Sequence, residues 1–196
     1  MSPWLLPIES ERLRLIPAQA EHSEAFADAA LESHAELSQW SKRGGGDDRA
    51  SYLQKALARV TPTANGTFVR RYAFTRSEPE RLVGSVAVQA WRRPIARVAE
   101  PPADVRVDES PDLELGYWCR TSLVGQGYAS EAVSALIAHS FEDLGAQVIW
   151  LRIGEENARS RRLAERLGFT EVERVAFPPS PGWGDTATVL FMQRKR

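Results

Sequence analysis

A mixed α/β sheet is the fold class that this sequence predicts, and three observations predict it. The second half alternates cleanly: a β-rich run from Leu113 to Cys119, an amphipathic run from Tyr128 to Leu144, a β-rich run from Val148 to Ile153, and a helical run from Asn157 that stops at Gly168. Strand, helix, strand in that order implies a right-handed parallel crossover. The first half instead holds two β-rich runs, Thr67 to Thr75 and Leu82 to Trp91, joined by the turn-prone Ser77-Glu-Pro-Glu80, which reads as an antiparallel hairpin. Finally, 196 residues are enough to bury one sizeable core without disulfides or metals, so a single domain over 1–196 with its core in 9–194 is expected.

The remaining elements follow in order. Glu11 to Ile16 alternates polar and apolar residues before Pro17, as a half-buried strand does. Ala20 to Leu31 and Ser33 to Trp40 are rich in alanine and glutamate, and predict one or two helices with Phe26, Ala30 and Leu37 inward. Gly44-Gly-Gly46 breaks the chain. Asp47 and Asp48 then suit a helix start, with Tyr52, Leu53, Leu57 and Val60 on its buried face and an end near Thr61-Pro62. Arg92 to Pro111, proline-studded and of mixed charge, reads as a long loop insertion. Glu171 to Phe177 and Thr186 to Phe191 flank the turn Pro178 to Gly184 and predict a final antiparallel pair.

Composition narrows the function. Lysine plus arginine number 25 against 26 acidic residues, so no global charge points to a nucleic acid or an anionic membrane as partner. A lone cysteine, Cys119, and three scattered histidines offer neither a disulfide framework nor zinc-ligand spacing, and no metal is expected. The opening Met1 to Ile8 has no basic leader and is broken by two prolines, and no run reaches the roughly 18 apolar residues of a spanning helix. A cytoplasmic protein with a local site is the expectation.

The stretch most informative about chemistry runs from Leu113 to Val133, where a strand passes through a glycine-bearing loop into an amphipathic helix. The first helical N–H groups have no internal partner, and Gly125 and Gly127 let a phosphate approach the backbone. A Gly-x-Gly before a helix is also an ordinary turn, so the second element matters. Val148 to Thr170 is a strand followed by an Asn157-x-x-Ser160 helix start and a Leu-Gly-Phe169 exit.

Together these residues resemble the two CoA-binding motifs of the GNAT superfamily. Glu114-Leu-Gly-Tyr-Trp118 and Gly125-Gln-Gly-Tyr-Ala-Ser-Glu-Ala132 are similar to its RimJ/RimL-like branch, and Glu11-Arg-Leu-Arg-Leu15 and Trp183-Gly-Asp-Thr186 extend the likeness over most of the chain. Val124 stands where that pattern usually has a polar residue. The resemblance implies a sheet of about seven strands, centrally splayed, with helices on both faces. It implies acetyl-CoA as co-substrate, its pyrophosphate on backbone groups from Gly125 through Gln126, Gly127, Tyr128, Ala129 and Ser130, and its pantetheine along Tyr117, Trp118 and Cys119. Asn157 would bond the pantetheine arm, Ser160 would protonate the leaving thiolate, and Arg162, with Arg159 and Arg161, would reach the 3′-phosphate. An N-cap, a solvent-facing hydroxyl and a solvated basic face are the plainer roles open to the same residues.

Acyl transfer to an amine needs a neutral nucleophile, a polarised carbonyl and a proton for sulfur. Period-two geometry puts Glu114, Gly116 and Trp118 on one face of their strand, so Glu114 is the candidate base, directly or through water, with a salt bridge as its alternative role. A buried strand cysteine with no neighbouring histidine argues against an acyl-cysteine at Cys119. Trp40, Trp91 and Trp183 are candidates for an acceptor pocket. The expected reaction is direct acetyl transfer in a ternary complex to a protein N-terminus. A small-molecule amine acceptor, a non-catalytic acyl-CoA-binding module and a homodimer are left open.

Overall fold

The computed structural model describes residues 2–40, 47–58, 60, 68–77, 80–90, 112–175 and 188–195, with the backbone alone at 175 and 188–190. In chain order the elements are β1 (Ile8–Glu9), β2 (Leu13–Pro17), α1 (Ser23–Glu32), α2 (His34–Trp40), α3 (Arg49–Leu57), β3 (Phe68–Thr75), β4 (Leu82–Ala90), β5 (Leu113–Cys119), α4 (Tyr128–Glu142), β6 (Val148–Gly154), α5 (Ala158–Arg166), β7 (Thr170–Val175) and β8 (Thr188–Arg194). They build one sheet in the order β1-β2-β3-β4-β5-β6-β8-β7, antiparallel except between β5 and β6. Eight strands stand where about seven were expected, because Ile8 and Glu9 pair with Leu15 and Arg14; two residues are too few to register as alternation.

Alternation along the strands sorts two cores onto opposite faces. Leu113 and Leu115 of β5 join Val86 and Val88 of β4 beneath Val133, Leu136 and Ile137 of α4, with Leu163 of α5 on the same side. Tyr72 and Phe74 of β3 join Phe26, Ala27 and Ala30 of α1 and Tyr52 and Ala56 of α3 on the other. The helices therefore cover both faces. On α3 the inward positions are Tyr52 and Ala56, one turn apart, whereas Leu57, expected inside, is 47% exposed and closes the helix. The helix thus ends short of the end expected near Thr61-Pro62. The Gly44 to Gly46 break, the insertion from Arg92 to Pro111, the turn Pro178 to Gly184, and Trp91 and Trp183 lie outside the described residues. No helix among those described is long and apolar enough to cross a membrane.

Two local devices set the geometry at the end of β5. The β3–β4 register shifts so that Ala73 faces Gly84 while Phe74 faces Leu82, leaving Val83 as the extra residue of a bulge. Beside it a Cβ on Gly84 would lie 2.2 Å from the Trp118 carbonyl oxygen, so only glycine permits this approach of β4 to β5. The loop that follows β5 is tied to the end of α1. Glu32 accepts from the Arg120 guanidinium at 2.6 Å and the Ser122 N–H at 3.0 Å, and the Ser33 hydroxyl accepts from the Thr121 N–H at 3.0 Å.

Arg120, opposed by partial desolvation and helped by Ser122, holds the Glu32 carboxyl at about 2, below the ordinary 4.5. A depressed carboxylate contributes stability that is fully present above pH 4.5 and lost as pH falls through about 2. Glu32→Gln is therefore expected to lower stability near neutral pH by about 0.5–1 kcal/mol, the scale of a partly exposed ion pair. Thermal melts across pH should show its gap from the unsubstituted protein narrowing below pH 4.5 and closing near pH 2.

Candidate functional site

β5 and β6 are paired only at Leu113–Ile149, Glu114–Trp150 and Leu115–Leu151, although β5 runs on to Cys119 and β6 to Gly154. Beyond Leu115 the two strands diverge. The other edge of β5 stays bonded to β4 through Cys119, so the edge of Gly116 to Cys119 that faces the gap has no strand partner. Into this gap opens a cavity of about 820 Å³, toward the upper end of what small-molecule sites occupy. Its walls include Tyr117, Trp118 and Cys119 from β5, Ile153 and Gly154 from β6, and Asn157 and Ser160 at the start of α5.

One end of the cavity is the mouth of α4. Gly125 and Gly127 both adopt left-handed backbone angles, φ 83° and 82°, and Gly127 serves as the N-cap with no side-chain bond to close the helix. The first helical bond runs from the Glu131 N–H to the Gly127 carbonyl. Before it, the N–H groups of Tyr128, Ala129 and Ser130 have no acceptor among the described residues, and all three residues line the cavity with Gly125 and Gly127. Unpaired donors and the positive end of a four-turn helix thus meet at an accessible surface.

A carboxylate here would repel an anion, and Glu131 lies in this first turn. It is neutralised from the bend just before β2: the Arg12 guanidinium donates to Glu131 at 2.7 Å and to the Gln126 carbonyl at 3.1 Å, and stacks over the Tyr128 ring at 4.6 Å. The Ser10 hydroxyl and the Arg12 N–H donate to the other Glu131 oxygen, each at 2.7 Å. Burial alone would raise this carboxyl, but these donors prevail and hold it below its ordinary value. Arg12 and Glu131 each lie in a stretch that carries the family resemblance, but neither drew a role from the sequence alone.

Across the gap, the Asn157 side chain accepts from the Ser160 N–H at 3.0 Å, the expected N-cap, while both residues also face the cavity. The Ser160 hydroxyl lies 2.6 Å from the Tyr117 hydroxyl, which reaches over from β5. Burial holds the Tyr117 phenol above its usual value, against the pull of Ser160, Arg159 and Arg166. Burial likewise pushes the Cys119 thiol to about 11, leaving it uncharged near neutral pH. Arg162 is exposed and is not on the cavity wall, whereas Arg159 and Arg166 are; Gln126 turns its carbonyl to Arg12.

Glu114 lines the cavity and is 8% exposed. Its two oxygens accept from Arg152 of β6 at 2.6 Å and from the Gln89 amide of β4 at 2.7 Å, so it carries the ion pair that was its alternative role and also faces the gap. The opposite wall comes from elements whose sequence carried no chemical signal beyond Trp40. His34 of α2 and Tyr52 of α3 are bonded at 2.8 Å and line the cavity, as do Lys55 of α3 and Phe68 and Arg70 of β3. Trp40 packs near Gly154, where an added Cβ would meet its ring at 3.6 Å. Glu36 of α2 pairs with Arg159 of α5 across the cavity rim.

This architecture recurs in proteins of known structure. A Salmonella typhimurium acetyl transferase that modifies the N-terminal serine of the 50S ribosomal protein L7/L12 superposes with a TM-score of 0.75 at 18% identity, over 97% of this chain and all of that one. Mycobacterium smegmatis RimJ, solved with CoA-disulfide, superposes with a TM-score of 0.75 at 17% identity, over 99% and 90% of the two chains. In sequence, 58 residues are 34% identical to YdaF of Bacillus subtilis (strain 168), whose name provisionally assigns it as a ribosomal N-acetyltransferase. That stretch is 30% of this chain and spans about a third of the length of YdaF, 32%. The acetyltransferase (GNAT) domain description matches residues 12–170, from the arginine that braces the mouth of α4 to the start of β7, and the chain belongs to the GNAT acetyltransferases.

Proposed function

We propose that this protein transfers the acetyl group of acetyl-CoA directly to an amine, and that the acceptor is the N-terminal amine of a protein. The observation that carries the reading is the continuity of one cavity from the unpaired N–H groups of α4, along the free edge of β5, to Ser160 and Glu114. A pyrophosphate suits the helix mouth, because several charge-assisted N–H bonds add to a dipole worth only about 0.3–1 kcal/mol per charge. The pantetheine amides suit the edge of Tyr117 to Cys119 as a further strand would. Arg159 and Arg166 take the place first given to Arg162 as cations for the 3′-phosphate.

In the reaction Glu114 accepts the amine proton, through water, since Arg152 and Gln89 already hold its oxygens. Ser160 gives a proton to the departing sulfur. Cys119, protonated and buried, stays out of the chemistry. The acceptor enters by the wall of α2 and α3. At pH 7 freeing an α-amine of pKa about 7.8 costs about 1 kcal/mol, against about 4.6 for a lysine near 10.4, so a single restrained carboxylate suits the α-amine. The names of the ribosomal-protein acetyltransferases of like fold support the same acceptor. A cytoplasmic place of action goes with it.

Acetyl-CoA consumption across a panel of peptides with free N-termini, polyamines and amino acids tests the reading. Thiol release with peptides alone supports it, small-amine activity moves the acceptor, and no release with any acceptor refutes turnover. Glu114→Gln is expected to lower kcat by about 10²-fold, within the usual range for removing a general base, and to make the rate climb with pH while CoA affinity stays near normal. An unaltered pH profile would assign Glu114 to structure alone. At the helix mouth, Gly127→Val must bend a side chain into the left-handed region at a cost of about 1–2 kcal/mol, with its Cβ 3.3 Å from Arg12. Calorimetry should show CoA binding weakened at least about tenfold.

A further inference from the structure

The Ser160 hydroxyl can protonate sulfur only if its hydrogen points into the cavity, and its nearest polar neighbour competes for that hydrogen. Tyr117 Oη lies 2.6 Å away and is able to donate or accept. Among the described residues, the other acceptor within reach of the Tyr117 proton is the Ser160 carbonyl, at a long 3.4 Å. If Ser160 donates to Tyr117, the serine proton is turned away from the gap and the phenol is left with the poor acceptor. If Tyr117 donates to Ser160, the short bond is used well and the serine proton is free for a ligand. A sulfur developing negative charge in the cavity selects the second arrangement.

Resting on the reading of Ser160 as proton donor, we infer that Tyr117 is its positioning residue, orienting the serine hydrogen toward the sulfur and replacing it once it has been given. The pair bridges opposite walls of the gap: Tyr117 is held in β5 by its pairing with Val86, and Ser160 in the first turn of α5 by its N–H bond to Asn157. As the tetrahedral adduct collapses, the C–S bond breaks and its electron pair passes to sulfur while the carbonyl re-forms. The Ser160 proton moves to sulfur, giving the free thiol of CoA, and the Tyr117 proton moves to Ser160 Oγ. The resulting phenolate recovers a proton from water, matching the one the amine has lost by way of Glu114. Burial disfavours negative charge on this phenol, and Arg159 and Arg166 of α5 offset part of that, so the phenolate is short-lived.

Three variants test this: Tyr117→Phe, Ser160→Ala and the double substitution, assayed for thiol release with acetyl-CoA and the best acceptor of the panel. Ser160→Ala should lower kcat about 10²-fold and Tyr117→Phe about tenfold, both with CoA affinity by calorimetry changed less than about twofold. The double variant should match Ser160→Ala, since Tyr117 has nothing to act through once the hydroxyl is gone. Losses that multiply in the double variant, a Tyr117→Phe rate equal to that of the unsubstituted protein, or a Tyr117→Phe loss confined to CoA affinity would overturn the inference while leaving Ser160 in its role. Full activity of Ser160→Ala, or no thiol release from the unsubstituted protein, would remove the proton-donor reading and this inference together. Should Tyr117→Phe fold poorly, 3-fluorotyrosine at 117 keeps the hydroxyl on a more acidic ring. The alkaline loss of kcat should then move to lower pH, and an unmoved limb counts against Tyr117.

Discussion

Two neighbouring parallel strands that pair for three residues and then separate are the constraint on which the rest of this molecule depends. Up to Leu115 and Leu151 the sheet is continuous and buries its side chains on both faces. From Gly116 onward, β5 keeps β4 on one side and has open space on the other. Backbone polar groups in a protein interior are ordinarily paired, so an edge released in the middle of a sheet is stable only where solvent or a ligand can reach it. The split thus makes both an opening and a row of unsatisfied donors and acceptors along it.

Keeping that edge open takes support from elements far away in the chain. Gly84, which tolerates no Cβ against the Trp118 carbonyl, and the Val83 bulge hold β4 close to the end of β5. Glu32 and Ser33 anchor the loop from Arg120 to Ser122, so α4 begins where β5 delivers the chain. Arg12 then braces the glycine loop from the opposite side, through Glu131, the Gln126 carbonyl and the Tyr128 ring. Backbone amides can serve as an anion site only if they are pre-arranged, and here these side chains add to the loop's own bonds, from the Leu123 N–H to the Arg120 carbonyl at 2.9 Å and from the Val124 N–H to the Thr121 carbonyl at 3.3 Å.

How much of this was legible in the sequence divides along the range of the interaction. β5, expected from Leu113 to Cys119, has those limits; α4 starts at Tyr128 as read, and Asn157 caps α5, because period-two alternation, glycine stops and Asn-x-x-Ser are local signals. Even the two faces of β5 were readable, since alternation is geometric. Leu57 misled because leucine is usually buried, yet the 3.6-residue period puts Ala56 on the same face as Tyr52. Arg12 and Glu131, 119 positions apart, and Tyr117 and Ser160, 43 apart, are joined only by the fold, and no local pattern in one chain encodes such a meeting. The wall formed by His34 and Tyr52 was hidden for the same reason.

Three ion pairs at or near the cavity bear on how an anionic ligand would be held. Arg12 faces Glu131, Arg152 faces Glu114, and Arg159 faces Glu36, so these cations at or near the cavity stand against carboxylates. Pairing cancels most of their long-range field, and exposed members are screened further within about 8–10 Å. Under the proposed function a polyphosphate then relies on Arg166 and on the N–H groups of Tyr128, Ala129 and Ser130, which have no acceptor among the described residues. The pairs differ in what a ligand can do to them. Arg152 and Glu114 are largely buried, and separating them would strand a charge at a cost of several kcal/mol, so they persist and fix the carboxylate. Arg159 and Glu36 sit at the rim, with side chains 54% and 34% exposed, where an ion pair is worth at most about 1 kcal/mol. A phosphate arriving at the rim would take Arg159 from Glu36 at little cost, releasing on α2 a carboxylate that lines the same cavity.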